Sequence, residues 1–253
     1  MGGGRGRAWL APNSEGPSSR LIRRWSGLRP GLPPVLLLVA AAIVVLAVWF
    51  IIGETFTRVL GDDWVGRTDR SLSRWFARTR TGELNTVTQI VTYLSETITV
   101  TIVGSVVFVA ARIAWKRWRE PLFLLAAVTG EVVIFLGLTL LVDRNRPKVD
   151  HLDIAPPTSS FPSGHTAAAV VLYGALFIIA SDRVRTATVV KLAAAGAVLI
   201  PIIVGVARLY RGMHFPTDVL AGAALGVTWL LITVHCTRLG VGHAELGRRR
   251  EPR

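Results

Sequence analysis

The stretch from 143 to 166, DRNRPKVDHLDIAPPTSSFPSGHT, sets cations at one end and an imidazole at the other. Arg144 and Arg146 form an R-x-R-P run with Pro147, and Pro162-Ser163-Gly164-His165 leads straight into an apolar segment. Ser163 is a residue type that caps helices, so the amides of Gly164 and His165 are expected to point into the loop with the positive end of a helix dipole behind them. A helix start of that kind is an anion site. Taken alone, the stretch reads equally as an ordinary loop ahead of a capped helix, since loops often carry Arg and Pro. A second stretch, from Arg208 to Asp218, holds the frame R-x5-H-x3-D around His214. Asp218 falls one helical turn after His214, where a carboxylate can hold a ring N–H.

The chain around these stretches is that of a polytopic membrane protein. It has 253 residues, of which 51% are hydrophobic, and a mean hydropathy of +0.48, too apolar for a typical soluble domain of this size. The net charge of +13 does not point to nucleic acid, because the arginines fall in short clusters between apolar runs and not on one basic domain. The one cysteine, Cys236, excludes an intrachain disulfide framework. Residues 1–31, rich in Gly, Arg, Ser and Pro, read as a disordered basic tail. No small-residue cleavage site closely follows the first apolar run, which argues against a cleaved signal peptide; an organelle transit peptide is a minor alternative.

Apolar runs at 35–52, 97–115, 121–142, 166–181, 188–207 and 217–235 predict an all-α fold of six transmembrane helices occupying 32–237. A second basic tail, 238–253, follows. With both termini in the cytoplasm, most of the 29 Lys and Arg fall on the inner side, among them Arg23, Arg24, Lys116, Arg117, Arg183 and Arg249. This N-in, C-in arrangement puts the 143–166 loop on the outer face of a plasma (cell inner) membrane. Because successive spans are antiparallel, His165 and Arg208 return to one membrane level, and the outer end of the third span joins them. Three motifs distant in sequence are thus expected to meet in one outer pocket.

Other features admit simpler readings. In the outer segment 53–96, Trp64, Thr68, Leu72, Trp75, Phe76 and Thr79 recur at helical spacing, with Arg67, Arg70, Arg74 and Arg78 elsewhere on the wheel. A helix resting on the lipid surface is favoured there over a part in substrate entry. Trp115 and Trp118 read as interface anchors. Glu131, deep in the third span, should face the bundle interior. His151, His235 and His243 read as ordinary solvated or packed histidines. A metal site from His165, His214, Asp218 and Asp153 is disfavoured, since no H-x3-H or carboxylate pair gives ligand spacing; no metal and no cofactor are expected.

The motifs resemble the type 2 phosphatidic acid phosphatase (PAP2) superfamily, whose signature is K-x6-R-P, then P-S-G-H, then S-R-x5-H-x3-D. Arg146-Pro147, Pro162 to His165, and Arg208, His214 and Asp218 match; Thr139 stands at the lysine position and Ala207 at the serine before the arginine. The resemblance covers about the second half of the chain and the six-span layout. It implies a PAP2-like bundle that hydrolyses a lipid phosphate without metal, through a phosphohistidine. Substrates of the family include phosphatidic acid, phosphatidylglycerol phosphate and polyprenyl pyrophosphates such as undecaprenyl pyrophosphate. By that resemblance His214 is the nucleophile oriented by Asp218, and His165 is the general acid and then base. Arg146 and Arg208, with the amides beside Ser163 and Gly164, bind the phosphoryl oxygens. Arg144 or Lys148 would replace the missing lysine, and Arg211 would help with a second phosphate. The expected partners are the lipid phosphate substrate and membrane lipids, with no nucleic acid; motifs of this kind leave the oligomeric state open. The alternative, raised by Thr139, is a catalytically silent protein that binds or transports lipid phosphates.

Overall fold

The structure is a computed structural model in which residues 9–10 and 32–248 are described. It is all-helical, with no strand among those residues. Helix α1 (Leu32–Glu54) runs on as a π-helical turn, Thr55–Val59. Two short helices follow: α2 (Trp64–Arg78), capped by the Asp63 side chain on the Val65 amide, and α3 (Gly82–Tyr93), capped by Thr81 on Leu84. Then come α4 (Thr97–Trp115), α5 (Arg119–Leu141), α6 (Gly164–Arg183), α7 (Ala187–Tyr210) and α8 (Pro216–Arg248). Among the described residues six helices are long and apolar enough to cross a membrane: α1 with its π-helical end, and α4 to α8.

Helix α6 is the central post and packs on α5, α7 and α8. Of its most apolar window 56% is buried, against 11% for α1 and for α4, which turn their apolar sides outward as lipid-facing helices do. Because lipid is as apolar as leucine, close fit and polar contacts hold such helices together. Trp229 on α8 shows both: its Nε1 donates to the Ala127 carbonyl at 2.9 Å, and its ring lies so close to Gly130 on α5 that a Cβ there would come within 2.1 Å. Glu131, 2% exposed, faces the interior as expected.

At the end of α6 remote from the 143–166 loop, the fully buried Glu120 receives hydrogen bonds from Arg119 and Arg183. Asp182 beside them accepts the amides of Trp9 and Leu10, at 2.6 and 2.9 Å, so that this part of the expected N-terminal tail is docked on the bundle. The remainder of that tail, 1–8 and 11–31, and residues 249–253 of the expected C-terminal tail lie outside the described residues. Helix α8 continues past the expected boundary at 237 as far as Arg248.

Within the segment 53–96 lie the two helices α2 and α3, separated at residues 79–81. Trp64, Leu72 and Trp75 of the aromatic stripe on α2 are exposed, while Gly66, Asp69 and Ser73 on another face are buried. The start of α3 is held to the end of α7: the Tyr210 hydroxyl accepts the Thr81 amide at 2.8 Å, and Arg80 Nε donates to the Tyr210 carbonyl at 3.0 Å.

Candidate active site

The three motif segments meet at the shared ends of α5, α6, α7 and α8. Backbone bonds fix the meeting: Ser160 N donates to the Arg144 carbonyl at 2.9 Å, and Ser163 N donates to the Asp218 carbonyl at 3.0 Å. The latter contact requires Gly222, because a Cβ on α8 at that position would lie 2.3 Å from the Ser163 carbonyl oxygen. Between α7 and α8 the chain turns at Gly212, whose φ of +75° suits a residue without a Cβ. His214 lies in this turn and His165 in the first turn of α6.

His214 is 5% exposed, and its Nδ1 is 2.7 Å from the Ser160 carbonyl. A carbonyl only accepts, so Nδ1 carries the proton. Burial, and then the charges of Arg208 and Arg146, hold the imidazole pKa well below its ordinary value. His214 is therefore neutral, with an unprotonated Nε2. The expected orienting bond from Asp218 is replaced: its Oδ2 is 3.9 Å from Nδ1 and accepts the Phe215 amide at 2.8 Å instead. Backbone of the Pro162-Ser163-Gly164-His165 segment's approach, at Ser160, takes the role assigned to a side chain.

Arg146 and Arg208 act on the His214 ring from nearby, as does His165. Arg146 Nη1 donates to the Met213 carbonyl at 2.8 Å, and Arg208 Nη1 to Asp153 Oδ2 at 2.8 Å. The Nε of each is buried with no protein hydrogen-bond partner among the described residues. Burial disfavours the charged form of Arg146 and so lowers its pKa, which the carboxylate of Asp218 partly offsets. Asp153, absent from the sequence motifs except as a weak metal candidate, bridges Arg208 and Arg211. Burial pushes its carboxyl up, but hydrogen bonds and charge from the two arginines win and hold it below the usual range. Arg211 also donates to the carbonyls of Leu152 and Asn85.

Arg144 sits between two acids. Its guanidinium donates to Asp218 Oδ1 and, at 2.8 Å, to Asp69 Oδ2, with the rings of Phe215 and Phe56 at 4.9 and 5.9 Å. Two carboxylates thus pair with it at the start of α8, and it also lines a cleft beside α2. Thr139 donates its hydroxyl to the Leu136 carbonyl of its own helix at 2.9 Å and adds no cation. Ser163 stands at the N-cap position of α6, but its hydroxyl pairs with Thr166 Oγ1 at 3.0 Å and makes no capping bond. The first amides of α6, at Gly164 and His165, belong to the turn that has no intrahelical acceptors. No group of three or more His, Cys, Asp or Glu side chains suited to a metal occurs among the described residues. That cleft, of about 440 Å³ and lined by neither histidine, opens between the end of α1, α2 and the 143–149 loop, with Arg70, Arg74, Arg144, Arg146 and Lys148 in its wall.

Residues 120–240 match the family model of the PAP2 superfamily. Over 117 residues the chain is 32% identical to phosphatidylglycerophosphatase B of Bacillus subtilis (strain 168); the alignment takes in 44% of this chain and spans only 55% of that relative's length. The crystal structure of the first transmembrane PAP2 type phosphatidylglycerolphosphate phosphatase from Bacillus subtilis superposes with a TM-score of 0.65 at 24% identity, covering 82% of this chain and 96% of that one. That of Aquifex aeolicus LpxE gives a TM-score of 0.52 at 24% identity, covering 65% and 93%. These two likenesses are of fold: the chain is a multi-span membrane protein with the helical architecture of those structures.

Proposed function

We propose, from the match of residues 120–240 to the PAP2 family model, that this chain hydrolyses a phosphomonoester or pyrophosphate on a membrane lipid, through a phosphohistidine at His214 and without a metal ion. The observation that carries the reading is the bond from His214 Nδ1 to the Ser160 carbonyl, which leaves Nε2 as a free lone pair beside two arginines. Nε2 attacks phosphorus, the bond to the leaving oxygen breaks, and His165 as imidazolium gives that oxygen its proton. His165, now neutral, takes a proton from water, whose oxygen attacks phosphorus; the P–N bond breaks and inorganic phosphate leaves. Arg146 and Arg208, each with a buried Nε donor to offer, and the first amides of α6 stabilise charge on the transferring oxygens. Substrates of the kind named for the relatives, phosphatidylglycerol phosphate above all, and the related phosphatidic acid and polyprenyl pyrophosphates, fit a site that grips only the phosphoryl group.

The site faces the outer side in this reading, because the positive-inside rule puts the opposite end of the bundle, with Lys116, Arg117, Arg183 and Arg185, in the cytoplasm. One observation favours a second reading, a silent lipid-phosphate binding or transport protein: Thr139 adds no cation, and Arg144 is paired with Asp69 and Asp218. Phosphate release from a panel of lipid phosphates in the presence of a chelator separates the two. The enzyme reading expects turnover that His214→Ala abolishes. A wild-type chain inactive on the whole panel, with Thr139→Lys switching hydrolysis on, identifies the silent relative.

A further inference from the structure

Helix α2 lies outside the segment 120–240 and carries none of the motif residues, yet its buried face reaches the turn that holds His214. Helix α8 opens at Pro216, behind Phe215, whose side chain cannot cap it. Two carboxylates do so instead. Asp218 reaches back to the Phe215 amide at 2.8 Å, as the third residue of a capping box does. Asp69, 148 residues away in sequence, accepts the Thr217 amide at 3.2 Å on Oδ1, and the Thr217 hydroxyl at 2.5 Å on Oδ2. The same Oδ2 accepts Arg144 Nη2 at 2.8 Å, and Nη1 of that arginine donates to Thr217 Oγ1 at 2.9 Å and to Asp218. Asp69, Arg144 and Asp218 are 2, 8 and 0% exposed.

We propose that Asp69 is a positioning residue of the catalytic centre: by capping α8 and holding Arg144, it sets the place of the His214 ring against the Ser160 carbonyl. All of its side-chain bonds outside its own helix go to Arg144 and Thr217, so it acts through them. Without it, Arg144 keeps one carboxylate of two and the partly buried Thr217 amide loses its acceptor, so the first turn of α8 must shift to satisfy both. His214, two residues ahead of Pro216, shifts with it. The two paired carboxylates around one guanidinium are balanced by the positive end of α8, which explains a second buried acid at this point.

The kinetic arm of the test rests on the phosphatase reading; a spectroscopic arm does not. In the full-length protein, Asp69→Ala should lower kcat about 10²-fold while KM changes less than about threefold, and Asp69→Asn, which keeps an acceptor for the Thr217 amide, about tenfold. The ring nitrogens of His214, assigned in ¹⁵N spectra by their loss in His214→Ala, should move in both variants away from the single Nδ1–H form of the wild type. A wild type that releases no phosphate defeats the phosphatase reading alone, and the ring resonances then decide the role of Asp69. Unchanged His214 resonances in the folded Asp69→Ala and Asp69→Asn proteins overturn the proposal, whatever the change in Tm.

Discussion

At the scale of single residues, the chemistry turns on a backbone atom. The Ser160 carbonyl selects the tautomer of His214, and burial with two nearby guanidinium groups keeps that ring neutral. The sign follows directly: the proton affinity of the ring is lowered, so it takes up no second proton until the pH is well below the ordinary imidazole range. The ring C–H resonance of His214 should hold its neutral position from about pH 8 to about pH 5.5; a titration centred near the ordinary value would show that the arginines and the burial do not control it. That His165, His214, Arg146 and Arg208 come together was legible in the sequence from the motif spacing and the antiparallel spans. Ser160 was not, since any residue offers a carbonyl. The pairing of Arg144 was hidden for a related reason: an arginine two residues before Arg146 gives no sign in the sequence that Asp69 and Asp218 lie on either side of it.

At the scale of elements, the site is a joint between α6 and α8, and the joint depends on how closely they approach. Six apolar runs identified the spans because lipid demands long uncharged helices. The wheel of α2 gave its exposed aromatic stripe, but Gly66, Asp69 and Ser73 on its buried face carried no signal, because burying a carboxylate requires Arg144 from a loop 75 residues on. Gly222 likewise looked like one of many glycines. Its substitution by alanine brings a Cβ to 2.3 Å from the Ser163 carbonyl oxygen, a backbone atom that cannot rotate away. Gly222→Ala should therefore destabilise the fold by about 1–3 kcal/mol and lower kcat on the order of tenfold by parting α8 from the start of α6. Thermal unfolding and steady-state kinetics on the same preparation check both, and a variant with the wild-type Tm and kcat would show that the two helices do not need this contact.

At the scale of the molecule, a six-span bundle with its polar joint at one end and a basic rim at the other has a definite orientation in a membrane. The N-in, C-in arrangement predicts that a cysteine at the exposed Thr158 reacts with a membrane-impermeant maleimide in intact cells, and one at the exposed Thr186 does not, once the buried Cys236 has been replaced. The reverse pattern would put the site on the cytoplasmic face and change which lipids reach it. Orientation decides the lipid pool, but the proposed chemistry stands on one covalent bond. The most direct measurement is mass spectrometry of the full-length protein quenched in base during turnover of a lipid phosphate, where a phosphoramidate survives. The account predicts one phosphoryl group on His214, absent from His214→Ala; an active protein that never carries phosphate on His214 would contradict it.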